Sequence, residues 1–306
     1  MSLIPFGFWA ASGAGIPDPV YVSVGLSGKL ATSLDGTTWT SRTSGFGTDG
    51  IQGVTFGDAL FVAVAREGKL STSLNGIDWT TRTSGFSGTW IYGVTYGNGV
   101  YVAVGDSGKI TTSTDGTTWT SRTSGFGTSS IRAVTYGNGV YVAVGQLGKL
   151  NTSTDGTTWT VRTSGFGSTS LESAAFGNGV FVIGGFEGKL SSSTNGTSWT
   201  SRTSQFASGL RILGLTYGNG VYVAVGGGYI GGDFNSSKMS TSTDGTTWTV
   251  RTSGIADDLI NAVAYGNGVY VAAGAAGKLT TSTNAITWTA RTSGFGATGI
   301  FGVTYG

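Results

Sequence analysis

Three arginines, Arg66, Arg132 and Arg211, stand outside the repeated positions of this 306-residue chain. A guanidinium is a planar fork that clamps a carboxylate through two parallel hydrogen bonds. Near them in the pattern lie Gln52, Glu172, Asn261 and Asp233, together with the aromatic residues Trp90, Tyr92, Phe186, Tyr229, Phe234 and Phe301. Aromatic faces with a few hydrogen-bonding side chains suit a sugar ring, whose C–H faces stack and whose hydroxyls bond at the rim. Other chemistries are closed to the chain. With no Cys and no His it has no thiolate nucleophile, no imidazole base and none of the usual zinc ligands, so neither metal nor cofactor is expected.

The elements that must hold these residues follow from a repeat. Trp39, Trp79, Trp119, Trp159, Trp199, Trp248 and Trp288 are spaced 40, 40, 40, 40, 49 and 40 apart, so seven units fill residues 18–306 and leave residues 1–17 as an N-terminal extension. Within one unit, residues 131–165 read as four short strands. Strand A is 131–136, a Gly-Asn-Gly turn leads to strand B at 140–144, strand C is 149–153, and strand D covers about 159–163. A 40-residue period with four strands predicts an all-β, seven-bladed β-propeller of four-stranded blades.

The ends predict how the ring closes. Residues 300–306 form a strand A with no strand B after it, and residues 20–25 form a strand B with no good strand A before it. The C-terminal strand is therefore expected to complete the first blade and remove a free edge. The rival, that residues 8–12 supply this inner strand, fits the 40-residue arithmetic less well.

The Ser-x-Asp-Gly-x-x-Trp element, as in Ser113, Asp115, Gly116 and Trp119, resembles the Asp-box of sialidase-like (BNR) propellers and of photosystem II assembly-factor-like repeats. The order of strand B, Gly-Lys, then Thr-Ser-Thr-Asp-Gly also resembles their blades. One residue fewer separates Asp from Trp than in the usual box. Of the seven box positions, Asp35, Asp115, Asp155 and Asp244 keep the acid, Asn75, Asn195 and Asn284 replace it, and Ala285 replaces the glycine of the seventh copy. The box acid is expected to accept hydrogen bonds from its own turn, and the Trp to pack between blades. Seven Lys and seven Arg recur at fixed positions. The Arg is expected on the polar outer strand, and the Lys, just after the B to C loop, could form a loose ring of charge.

Variation concentrates on one face. The A to B and C to D turns stay nearly constant, whereas the D to A and B to C loops on the opposite face differ from copy to copy, as do Gln52, Tyr92, Arg132, Glu172, Leu213, Asn261 and Phe301 at the second position of strand A. Loops that vary on a rigid scaffold are where recognition is expected. Eight of the nine extra residues of the sixth unit fall in its B to C loop, residues 227–237, which carries Tyr229, Asp233 and Phe234.

These features predict a non-enzymatic recognition propeller that binds a glycan or a neighbouring protein through the variable face. The N-terminus MSLIPFGFWAAS and the Thr/Ser/Gly-rich repeat style are similar to virion and tail-associated proteins of bacteriophages. That resemblance implies a virion or extracellular location, with residues 1–17 as the attachment segment to other virion proteins. An assembly-factor-like protein binder is the alternative. The sialidase resemblance implies a third reading, a glycoside hydrolase in which Arg66, Arg132 and Arg211 clamp a carboxylate and Tyr92 works with Glu67 or Glu172; against it stand the six blades of those enzymes and the missing Arg-Ile-Pro motif. A net charge of +2 points to no nucleic acid partner, and no apolar run is long enough to span a membrane, so a soluble protein is expected.

Overall fold

A computed structural model describes residues 18–228, 237–255 and 258–306. The N-terminal extension and the loop residues Tyr229, Asp233 and Phe234 lie outside the described residues. Within them, seven four-stranded antiparallel sheets form the ring. Blade four shows the plan: strand A is Ile131–Gly137, strand B Val140–Gly145, strand C Lys149–Ser153 and strand D Thr160–Thr163. Strand A is innermost and strand D outermost.

The continuous apolar run of strand B follows from burial on both of its faces, the condition under which alternation disappears from a strand sequence. Tyr141 and Ala143 pack with Val102 and Val104 of blade three, while Val142 and Val144 pack with Phe181 and Ile183 of blade five. Strand D touches solvent and is polar. Its repeated Arg is tied inward, Arg162 Nε donating to Thr152 Oγ1 at 3.0 Å, with the same bond in the other six blades at 2.8–3.0 Å.

The C to D turn is a self-contained hydrogen-bonded knot. Asp155 Oδ1 accepts from the backbone N–H groups of Thr157 and Thr158 and from Ser153 Oγ, each at 2.8 Å. Asn195 Oδ1 accepts the equivalent backbone pair at 2.9 Å, so the amide copies keep the geometry. Gly156 sits at φ +73°, and Ala285 takes φ 60° in the seventh copy. Trp159 Nε1 donates to Gly156 O at 3.0 Å, and the ring lies 6.3 Å from Tyr141, beside the cluster that joins blades three and four.

Each seam is also plugged from the D to A loop. Phe126 is fully buried between blades three and four, Ser124 Oγ donates to Gly108 O at 2.5 Å, and Lys149 Nζ donates to Phe126 O at 2.7 Å. Lys29 and Lys109 repeat that contact on Phe295 and Phe86, Lys189 reaches Thr169, and Lys69 and Lys278 pair with Asp49 and Asp258. These six ammonium groups fasten one blade to the preceding loop and so do not make a ring of free charge.

The ring closes through blade one, whose inner strand is Ile300–Tyr305 paired antiparallel with Tyr21–Gly25. Val20 N–H donates to Gly306 O at 2.6 Å, and Gly306 N–H donates back to Val20 O at 3.1 Å. Blade six departs from the 40-residue plan differently from the sequence expectation. Its inner hairpin is lengthened, strand A being Leu210–Gly218 and strand B Val221–Gly228, so that Gly227 and Gly228 belong to a strand paired with Arg211 and Leu210.

Candidate functional site at the variable mouth

The seven variable positions of strand A share one structural cause. The A to B pairing in every blade carries a register shift immediately after its first Ile or Leu (Ile212 in blade six), leaving Gln52, Tyr92, Arg132, Glu172, Leu213, Asn261 or Phe301 as the unpaired residue. Such a bulge frees a residue from the ladder and re-aims its side chain. All seven line the central cavity, about 270 Å³.

The B to C turns are held against the same mouth. In every blade but the sixth, the first residue of the turn donates its N–H to the carbonyl of the residue before strand A, as Arg66 to Gly50, Asp106 to Trp90 and Gln146 to Ser130 at 2.9–3.1 Å. Strand B can approach this closely because it ends in Gly: a Cβ on Gly145 would lie 2.2 Å from Ser130 O. Blade two carries Ala65 there and answers with a backbone shift, φ −142° against −170° at Gly145.

This arrangement brings most of the sequence candidates together as an arc across blades two to six. The Arg66 guanidinium lies 4.1 Å over the Trp90 ring, and Trp90 meets Tyr92 edge-on at 5.9 Å. Arg132 lies 4.2 Å over Tyr92, and its Nε is 3.9 Å from Glu172 Oε2. Arg211 lies 4.4 Å over Phe186. Each arginine therefore rests on an aromatic face, where the ring quadrupole attracts the cation. The Nε atoms of Arg66 and Arg132 are shielded from solvent and have no hydrogen-bond partner.

Electrostatics follow from burial. Glu172 is largely buried, which pushes its carboxyl above the ordinary value against the pull of Arg132 and Arg211. Burial, then hydrogen bonding to the Asp106 carboxylate, raises the Tyr92 phenol. Asp106 also accepts from Ser130 Oγ at 2.8 Å. Asp106 is the first residue of the blade-three B to C turn, and its place as the carboxylate beside Tyr92 depends on the fold bringing that turn to strand A. The Tyr92 and Glu partnership implied by the sialidase resemblance takes a different form here, since Asp106 stands by the phenol and Glu172 by Arg132.

The remaining candidates lie apart from the arc. Asn261 Nδ2 donates to Ile300 O at 2.9 Å and so joins blades seven and one, Gln52 Nε2 donates to Gly50 O at 3.3 Å, and Phe301 lines the cavity in blade one. Among the described residues no group of three or more His, Cys, Asp or Glu could hold a metal ion, and no helix is long and apolar enough to cross a membrane.

No protein-family model matches the sequence, and no curated protein is similar to it. Solved structures are similar in fold. Selenomethionine-substituted virginiamycin B lyase from Staphylococcus aureus superposes with a TM-score of 0.67 at 14% identity, covering 78% of this chain and 83% of that one. YCF48 bound to D1 peptide gives 0.63 at 17% identity over 84% of this chain and 86% of that one. YCF48 from Cyanidioschyzon merolae gives 0.60 at 17% identity over 84% and 92%. At these identities the likeness is one of fold: the chain is a seven-bladed propeller whose neighbours include an enzyme and a peptide-bound protein.

Proposed function

We propose that the chain is a non-enzymatic recognition propeller that binds a segment of another protein across the arc of arginines and aromatic rings at its variable mouth. The observation that carries this reading is the arc itself, three guanidinium donors laid over aromatic rings on the face where the seven copies differ. A protein segment brings carbonyl and carboxylate acceptors to such donors, and arginine and aromatic side chains are the common anchors of protein interfaces. The similar fold of YCF48, whose structure holds a bound D1 peptide, supports the same choice. A glycan is the weaker occupant, because the guanidinium groups already cover one face of Trp90, Tyr92 and Phe186 and leave less ring for a sugar to stack on. Attachment to a virion or tail through residues 1–17, with an extracellular location, is the finer reading that the sequence resemblance adds, and co-purification with phage particles tests it.

The central test compares the wild-type protein with an Arg66→Ala, Arg132→Ala, Arg211→Ala variant on a peptide array, a glycan array and a fluorogenic sialoside. Peptides are expected to bind the wild type and to lose about 10-fold or more in the variant, as for truncated hot spots. Glycan binding without peptide binding would replace the proposed ligand class, and sialoside turnover by the wild type would overturn the non-enzymatic reading.

A further inference from the structure

The amide copies of the C to D turn change something other than the turn. Asn195 and Asn284 hold the same pair of backbone N–H groups through Oδ1, at 2.9 Å. The second side-chain atom is what differs: Asp35, Asp155 and Asp244 present a carboxylate oxygen, which accepts a Thr hydroxyl at 2.6 Å, whereas Asn presents an N–H donor. In blade two that donor is used at once, Asn75 Nδ2 donating to Asp78 Oδ2 at 3.0 Å. Among the described residues, Nδ2 of Asn195 and of Asn284 has no acceptor; only Oδ1 of each is engaged.

Both amides open onto grooves between neighbouring blades. Asn195 lines a groove of about 240 Å³ with Arg202, Ser198, Thr200 and Thr246, and Asn284 lines one of about 230 Å³ with Arg251, Thr243, Thr247 and Thr249. Each guanidinium is fixed through Nε, which donates to Ser192 Oγ or Thr241 Oγ1 at 2.8 Å, and among the described residues neither stands in an ion pair. No carboxylate lines either groove. The grooves between blades one and two and between two and three share the plan but contain Asp18 and Asp35, and Asp58, Asp78 and Asp115. A fixed guanidinium fork suits a carboxylate, and an amide beside a row of hydroxyls suits the hydroxyls of a sugar. Pockets for drug-sized ligands measure about 300–1,000 Å³, so these smaller grooves suit a single ring. We propose that the two grooves flanking blade six each bind one hexuronate unit, its carboxylate on Arg202 or Arg251 and its hydroxyls on Asn195 or Asn284 and the neighbouring Ser and Thr. These sites lie on the C to D turn face and are independent of the variable mouth and of the ligand bound there.

Isothermal titration of the full chain with methyl glucuronoside, methyl glucoside and acetate tests the assignment. The glucuronoside should fill two sites per chain, with the glucoside and acetate each about 10-fold weaker or undetected. Arg202→Gln and Arg251→Gln should each remove one site. Asn195→Asp and Asn284→Asp restore the acid that four other blades carry, so the ring should fold as before while the glucuronoside binds the altered groove about 10-fold more weakly, a like charge now facing its carboxylate. Glucoside binding as tight as the glucuronoside would overturn the role of the arginines, and acetate binding as tight would overturn the sugar. An absence of glucuronoside binding to the wild type, or binding that survives all four substitutions, would overturn the sites altogether.

Discussion

Replacing Asp155 by Ala, and separately by Asn, tests whether the C to D turn works as an acceptor knot. Asp155 Oδ1 takes two backbone N–H groups and the Ser153 hydroxyl at 2.8 Å, and Oδ2 takes the Thr157 hydroxyl at 2.6 Å. Asp155→Ala removes all four bonds. The freed donors lie at the surface, where water re-solvates them, so the cost should be close to that of losing a helix N-cap, about 1 kcal/mol, rather than that of orphaning buried groups. For a protein of this size that corresponds to roughly 1.5 °C in melting temperature. Asn195→Ala should cost the same, because Asn195 Oδ1 holds the matching pair of N–H groups. Asp155→Asn keeps that pair and should cost only a few tenths of a kcal/mol at pH 7. The Thr157 hydroxyl and the Thr158 N–H hold the Asp155 carboxyl well below the ordinary carboxylate range. A depressed folded-state pKa stabilises above the unfolded value, near about 3.9, and that stability is lost as pH falls toward the folded one. The gap between wild type and Asp155→Asn should therefore close on acidification from about pH 4 downward. Urea unfolding across that range measures all three variants. The reasoning fails if Asp155→Asn is as damaging as Asp155→Ala at pH 7, if Asn195→Ala costs nothing, or if the Asn gap persists in acid.

Two further substitutions probe the seams. Ser71, Thr111, Ser240 and Thr280 have buried hydroxyls without a partner, whereas blade one has Ala31 at that position, so Ser71→Ala should raise unfolding stability by roughly 1 kcal/mol; a loss in urea unfolding would mean the hydroxyl is partnered. Gly145→Ala should cost about 2 kcal/mol, the strain of moving strand B by the amount Ala65 already shows in blade two; an unchanged unfolding midpoint would show that the backbone yields freely there.

The ring and its closure were legible because symmetry repeats each local signal seven times. The Trp spacing set the blade count, and the orphan strands at the two ends set the seam; strands B and C of blade four lie within one residue of the pattern read from Val140 to Ser153. What escaped the reading depends on pairs of blades. The bulge that aims Tyr92 and Arg132 is a register shift that no residue type announces. The three arginines were singled out by breaking the repeat, yet their resting places on Trp90, Tyr92 and Phe186 come from loops of adjacent blades. Asn195 and Asn284 are legible as replacements of the turn acid, but that they line two grooves without a carboxylate depends on which side chains of adjacent blades meet there.

The pairing of Tyr21–Gly25 with Ile300–Tyr305 also sets the order of events during synthesis. Of the seven sheets of the ring, blade one is the first to emerge from the ribosome and the last to be finished, since its inner place stays empty until Ile300–Tyr305 is made. Until then Tyr21–Gly25 presents an unpaired edge to any other nascent chain, the situation in which repeat proteins exchange strands. Closing the ring is thus a late step with very large sequence separation, and late, non-local pairing is slow. Crowded polysomes would be the place where two such rings complete each other instead of themselves.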